Sequence, residues 1–291
     1  MRVIRGNIRI ERKMEKTLKT LLAENKLTLK KAYGQNFLTD ESLLKEIVEK
    51  AGVGGGDTVL EIGCGAGALT RALAKRAKRV VGYEIDGRLK PVLNETLKDF
   101  SNVKINYADI MKVGVSEIEK TIGEEYKIVA NLPYYITTPI VMNFIENAAK
   151  LTSMSVMVQE EVADRFSAPP ASSDYGAITV AINLRGGAET VLRVPREKFT
   201  PVPNVDSAVV RIDLEKGKFA GADIAAVRRV VRAAFCSRRK MLVNNLINSL
   251  KLTRAQAETA LITADISLTA RGETLSAEEF IRLADAIKRV K

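Results

Sequence analysis

Apolar positions along the chain alternate between two rhythms. One is the helical stripe: in "ESLLKEIVEKAGV", residues 41–53, Leu43, Leu44, Ile47 and Val48 share a face, with Thr39, Asp40 and Ser42 available as caps. The other is the short unbroken apolar run of a buried strand. Such runs occur at "TVLEIG", "RVVGYEID", "VKINYAD" and "YKIVAN". Helical stretches follow the first two, "CGAGALTRALAKRA" and "GRLKPVLNETLKDF", the latter with Pro91 expected in its first turn. After the fourth strand "TPIVMNFIENA" reads as a helix, and "SMSVMVQEEVADRF" as a strand passing into a helix. This alternation predicts right-handed crossovers and an α/β fold with a mostly parallel sheet.

Further on, "AITVAINLRG", "AETVLRV" and "SAVVRIDL" read as later strands, the last two closing an antiparallel edge. "EKGKFAGAD" reads as a linker. Beyond it the pattern is helical: "IAAVRRVVRAAFCSRRKMLVNNLINSL" as one basic helical region, then "TRAQAETALITA" and "SAEEFIRLADAIKRV". The expected organisation is an extension with a helix over 1–30, an α/β domain over 31–213 and a small helical domain over 222–291.

Composition narrows the chemistry. A net charge of +11 points to a polyanionic partner, since each neutralised phosphate releases a counterion. There is no His, which removes His general bases, His triads and His metal sites. Two cysteines, Cys64 and Cys236, form no zinc or disulfide pattern and favour a reducing cytoplasmic compartment. No run is apolar enough for a membrane span, and the charged amino terminus has no secretory h-region.

In "LEIGCGAGALT", Gly63, Gly65 and Gly67 lie between a strand and a helix, where glycines let backbone approach a ligand. Glu84 ends the next strand, at about the ~20-residue interval of a ribose-binding acid. A nicotinamide dinucleotide would want its last glycine later. Glu61 before the first glycine is instead a mark of adenosylmethionine loops. Asp109 ends the third strand and is either an acceptor for an adenine amine or a turn Asp. The fourth strand ends in "NLPYY". An Asn oxygen there can orient a poorly nucleophilic aromatic amine, Pro133 fixes the turn, and Tyr134 can stack on a base.

Asn-Leu-Pro-Tyr downstream of "EIGCGAG" resembles the catalytic motif of adenine N6-methyltransferases. "YGQNFLTD", "VVGYEID", "ANLPYYITTPI", "FTPVPNVDSAVVRI", "AFCSRRKMLVNNL" and "RGETLSAEEFIRLAD" are similar to the KsgA family of small-subunit rRNA adenine dimethyltransferases. The resemblance implies a Rossmann-like class I methyltransferase sheet using S-adenosyl-L-methionine and no metal. It implies dimethylation of N6 on two adjacent adenosines near the 3′ end of small-subunit (16S) rRNA, in the pre-ribosomal particle, by a monomer. Asn36 and Leu38 would cover the cofactor, Glu61, Gly63, Gly65 and Gly67 would line it, and Glu84 and Asp109 would hold its ribose and adenine. Asn131 would contact both the cofactor and the target amine, Asn131, Leu132, Pro133 and Tyr134 would act on the target base, and Phe199 would close the base's other face. Cys64 departs from the family, which usually has Pro there.

Arg228, Arg232, Arg238, Arg239 and Lys240 crowd one helical region, and as a cluster they read as a grip on rRNA backbone. The run Arg71, Lys75, Arg76, Lys78 and Arg79 reads as a solvated helix face. Two other readings stay open: a resistance-type methyltransferase of large-subunit rRNA, and an RNA-binding assembly or transcription factor that has kept the fold without the reaction.

Overall fold

The computed structural model describes Thr20 and residues 36–291. Thr20 apart, the expected 1–30 extension and its helix lie outside the described residues.

Seven strands form one sheet in the order β4-β3-β2-β5-β6-β9-β7. They are β2 (Thr58–Ile62), β3 (Arg79–Glu84), β4 (Val103–Tyr107), β5 (Tyr126–Asn131), β6 (Leu151–Gln159), β7 (Gly186–Val194) and β9 (Ser207–Leu214). β2 through β6 pair in parallel, whereas β9 runs antiparallel to both β6 and β7. β2, buried at every residue, is an interior strand between β3 and β5. From it the chain winds one way to β3 and β4, then reverses to β5 and β6. That reversal opens a crevice at the carboxyl ends of β2 and β5, the place where open α/β sheets bind ligands.

Helices cover both faces: α1 (Glu41–Lys50), α2 (Ala68–Ala74), α3 (Lys90–Leu97), α4 (Val115–Ile122), α5 (Thr137–Asn147) and α6 (Glu160–Phe166). α1 buries the four apolar residues expected of it, and the Asp40 Oδ1 caps it by accepting from Ser42 N at 3.0 Å and Leu43 N at 3.2 Å. α3 carries Pro91 in its first turn, where its missing N–H costs nothing.

Two expectations fail. "AITVAINLRG" is not a strand but a helix, α7 (Ala177–Asn183). Ile178, Ala181 and Ile182 pack into the core of the sheet, while Val180 and the following Leu184 pack into the core of the carboxyl-terminal helices. A helix buried on all sides has no polar alternation, so its sequence reads like that of a buried strand. The long basic helical region is also broken, into α8 (Ile224–Ala234) and α9 (Leu242–Leu250). Asn245, 3% exposed, donates to the carbonyls of Ala234 at 2.8 Å and Ser237 at 2.9 Å. These bonds satisfy acceptors released where α8 stops. Helices α10 (Arg254–Thr263) and α11 (Ala277–Val290) complete this second core, and the Tyr175 hydroxyl donates into it, to the Leu275 carbonyl at 2.8 Å.

A two-stranded ribbon, β1 (Phe37–Leu38) against β8 (Phe199–Thr200), lies apart from the main sheet. An ion pair between Lys198 Nζ and Asp40 Oδ2, at 2.7 Å, fastens the same two segments and holds the Asp40 carboxyl well below its usual range.

Candidate active site

β2, β3, β4 and β5 are parallel, so Ile62, Glu84, Tyr107 and Asn131 end at one edge of the sheet. Gly63, Gly65 and Gly67 all take positive φ, at 79°, 55° and 88°, a region open to Gly at little cost. Gly65 has a second reason to lack a side chain: a Cβ there would come within 2.9 Å of Phe37 Cε1. The loop is thus shaped to receive the first ribbon strand. Gly63 N donates to the Tyr83 carbonyl at 2.8 Å, and Gly65 N donates to Glu84 Oε2 at 2.8 Å.

Glu84 is 4% exposed and its other oxygen accepts from Asp86 N at 2.8 Å. Burial raises its carboxyl despite these donors. Glu61, 1% exposed, is in a harsher place. Its Oε2 has no hydrogen-bond partner among the described residues, and burial, with the nearby Glu84 charge adding to it, pushes the carboxyl up to about 8. An orphaned buried carboxyl oxygen beside a glycine loop fits a ligand bearing a cation. Cys64 is also buried, and its Sγ faces the Tyr83 carbonyl at 3.9 Å. Asp109 takes the turn arrangement: its Oδ1 accepts from Met111 N at 3.0 Å.

The Asn131 Nδ2 donates to the Asn36 carbonyl at 2.9 Å, which leaves Oδ1 to accept from something else. The Asn131 carbonyl lies 3.9 Å from where a Cβ on Gly63 would stand, so the two motifs border one another. Leu132 is 2% exposed and anchors the turn in the core. The Pro133 carbonyl accepts from Ile136 N at 3.2 Å and from Thr137 Oγ1 at 3.1 Å, folding the chain into α5. Tyr134 is half-buried, with its hydroxyl 2.7 Å from the Ser207 Oγ, and burial raises the phenol.

The structure places several of the expected site residues in surroundings the sequence did not foretell. Phe199 does not stand as an open wall for a base. It is 1% exposed and belongs to the core with Leu38, Val194 and Val209. Leu38 is 5% exposed, in the same cluster. Three of the five grip residues already have partners within the chain. Arg228 donates to the Glu146 carbonyl at 2.8 Å, Arg232 lies 3.3 Å from Glu146 Oε1, and Arg238 donates to the carbonyls of Ser173 at 2.7 Å and Tyr175 at 3.0 Å. Arg238, Arg239 and Lys240 also lie in the connection between α8 and α9, not on a helix. Arg239 and Lys240 are exposed, and the Leu242 N to Ala270 O bond of 2.8 Å brings exposed Arg271 close to them. In the other basic run Arg71, Arg76 and Lys78 pair with Glu41, Glu49 and Glu124, as a solvated face would.

Some residues at this edge were not singled out from sequence. Ile85, Tyr107 and Met111 are exposed around Glu84 and Asp109. The available signal was an apolar residue directly after a strand-end acid, in "YEID". Ser207, the partner of Tyr134, gave no signal, because its contact spans 73 residues. A cleft of about 280 Å³ lined by Leu151, Leu184, Leu214 and Phe219 lies at the opposite edge of the sheet. Its Arg185 and Lys218 donate to the carbonyls of Ala148 and Gly186. Among the described residues no group of acidic, Cys or His side chains could hold a metal ion, and no helix is long and apolar enough to cross a membrane.

Comparison with known proteins gives the family and the fold. The chain is 44% identical over 280 residues to a Geobacillus protein (strain WCH70) named ribosomal RNA small subunit methyltransferase A, covering 93% of this chain and 95% of the relative. It is 45% identical over 273 residues to the protein of the same name from Shouchella clausii, covering 92% of each. A dimethyladenosine transferase structure from Plasmodium falciparum matches the fold with a TM-score of 0.74 at 23% identity, over 87% of this chain and 98% of the other. The structure of the 23S rRNA methyltransferase ErmE matches with a TM-score of 0.66 at 30% identity, over 87% of this chain and 100% of the other. The family model described as ribosomal RNA adenine dimethylase matches residues 26–289, and the chain belongs to that family.

Proposed function

We propose that this chain uses S-adenosylmethionine to dimethylate N6 of two adjacent adenosines near the 3′ end of small-subunit rRNA, acting as a monomer on the pre-ribosomal particle in the cytoplasm. The observation that carries the reading is the Asn131 amide, held by the Asn36 carbonyl at the carboxyl end of β5, beside the glycine loop.

When bound, S-adenosylmethionine supplies an electrophilic methyl on a sulfonium. Gly63, Gly65 and Gly67 give the backbone its close approach, and Asn36 and Leu38 flank Phe37, whose ring borders Gly65. Glu61 Oε2 is placed to neutralise an ammonium, Glu84 to accept from ribose hydroxyls, and Asp109 to accept from an adenine amine. Exposed Ile85 and Met111 offer apolar surface for the adenine ring.

On the substrate side, Asn131 Oδ1 accepts one N–H of the target amine and favours a pyramidal nitrogen whose lone pair is withdrawn from conjugation with the ring. This is an alignment effect. No side-chain base is required, because an N6 ammonium on adenine is strongly acidic, and a chain without His lacks nothing here. The Tyr134 ring, fixed at its hydroxyl by Ser207, presents a face for a base taken out of its stack. Phe199 would reach such a base only if the β1–β8 ribbon moved, since its ring is now in the core. Arg239, Lys240 and Arg271, with no acidic partner among the described residues, are the cations best placed to meet phosphate. The basic helical domain exceeds what the chemistry needs, which supports a second, binding role in particle assembly.

The ErmE likeness keeps large-subunit rRNA as the competing substrate. Labelled S-adenosylmethionine, offered with undermethylated small-subunit particles and separately with naked large-subunit rRNA, separates the two once the modified bases are mapped. Dimethyladenosine at adjacent small-subunit sites, lost in Asn131→Ala, is the expected result. Label only in large-subunit rRNA would sink the proposal.

A further inference from the structure

Nine large apolar side chains are exposed among the described residues, and six of them gather at the carboxyl edge of the sheet. Ile85, Tyr107 and Met111 lie on the β3–β4 side, around Glu84 and Asp109. Tyr135, Val202 and Val205 lie on the other side, beyond Asn131. Water-facing apolar surface concentrated at one edge is a mark of a binding surface, whereas scattered residues would need no explanation.

The second group has a built geometry. Tyr134 and Tyr135 are consecutive in a short 3-10 turn, Tyr134–Ile136. Residues one apart in such a turn point about 120° from each other. Tyr134 turns inward and is tied to Ser207, whereas Tyr135 turns outward and is 59% exposed. Ser207 begins β9 opposite Gln159, so the loop before it, Pro201–Asp206, hangs at the same edge. That loop is tied down by Asp206, whose carbonyl accepts from Glu160 N at 3.1 Å and whose Oδ1 accepts from Arg196 N at 2.9 Å. It displays Val202, 58% exposed, and Val205, 43% exposed.

We infer that Tyr135, exposed at the same edge of the sheet as Val202 and Val205, is a second base seat, which stacks the nucleobase adjacent to the one held at Asn131. The inference rests on the proposed action on adjacent adenosines. It adds the residue that would retain the neighbouring nucleotide while the first is modified. The Tyr135 ring is exposed in the turn that directly follows the Asn131 segment, next in the chain to the proposed base-stacking Tyr134. An aromatic face suits any base, since stacking is sequence-tolerant. A protein partner is the other occupant such a surface could have, and it would make no distinction between nucleotides.

The test is methyl transfer to undermethylated small-subunit particles with the usual adjacent adenosines, and to particles in which one of the two is uridine, a poorer stacker. Tyr135→Ala should raise KM for the adenosine-pair particle by about tenfold with kcat nearly unchanged. Tyr135→Phe and Tyr135→Trp should restore it, because the ring and not the hydroxyl is used. The uridine particle should carry a KM penalty in the wild type that Tyr135→Ala does not feel. An unchanged KM in Tyr135→Ala, or a uridine penalty equally large in both proteins, overturns the inference. A wild-type chain that transfers no methyl group to either particle overturns the underlying reading instead.

Discussion

Asn131 Nδ2 and the Asn36 carbonyl meet at 2.9 Å across 95 residues of sequence. The bond selects one of the two orientations of the amide, with Oδ1 directed away from Asn36. A nearly isosteric carboxylate cannot make it, because it has no donor and would face a carbonyl.

Asn131→Asp should therefore fail almost as badly as Asn131→Ala. Each should lose about 10²–10³ in single-turnover transfer, with cofactor affinity far less affected. Retention of more than a tenth of wild-type transfer by the Asp variant would show that amide orientation is unimportant.

Glu61 gives a pH prediction. Its carboxyl rises from 4.5 to about 8 in the folded chain. A raised folded value favours the protonated form, so the stability it contributes is full below 4.5 and is lost as pH climbs through about 8. A ligand ammonium needs the carboxylate, so cofactor binding should release a proton and tighten as pH rises towards about 8. Calorimetry in buffers of different ionisation enthalpy reads that proton. Glu61→Gln should bind weakly at every pH, with the slope gone, and should unfold at higher temperature than wild type at pH 8. A Gln variant with the wild-type slope would assign the proton elsewhere.

The basic residues of the α8–α9 connection should separate by partner. Arg239→Ala with Lys240→Ala should leave the melting temperature in place. The double variant should reduce the slope of log K against log salt for RNA binding by between about 1.4 and 1.8. Arg238→Ala breaks bonds to the carbonyls of Ser173 and Tyr175 and should cost about 1–3 kcal/mol of stability by denaturant titration. If all three changed only the salt slope, Arg238 would be an RNA contact after all.

Phe199 divides the same way. As a core ring it should cost about 3–5 kcal/mol when replaced by Ala, measured by equilibrium unfolding without RNA. A loss below about 1 kcal/mol with a large rise in KM for RNA would return it to the base pocket.

Gly82 is a prediction from packing alone. A Cβ there would collide with Cys64 Sγ and Ile105 Cδ1. Gly82→Ala should destabilise the fold, and Cys64→Ala should relieve part of that loss, a coupling measurable by a double-mutant cycle. Additive effects would mean that Ile105 alone fills the space.

Much of this was legible beforehand where the information is local. The first five strands of the sheet, the glycine loop and the strand-end acids lie in short windows with strong patterns. Capping at Asp40 and the first-turn Pro91 were equally readable. What the sequence hid was long-range. Nothing local tells that residues 177–183 lie between two cores, or that Asn245 reaches back to end α8. The same holds for Arg238: a cation reads identically in sequence whether it faces phosphate or two carbonyls 63 and 65 residues away. Phe199 before two prolines looked like a pocket wall only through resemblance, and its burial follows from pairing with Leu38, far off in the chain.

Helix α7 has a consequence for modularity. One of its sides belongs to the sheet's core and another to the core of the carboxyl-terminal helices. A chain cut at the linker would keep α7 but leave Val180, Leu184 and Tyr175 without their neighbours. The methyl-transferring half is therefore not an autonomous cassette. Its evolution with other RNA-binding modules would have required resurfacing this one helix, and recombination at the linker alone would yield an aggregating fragment.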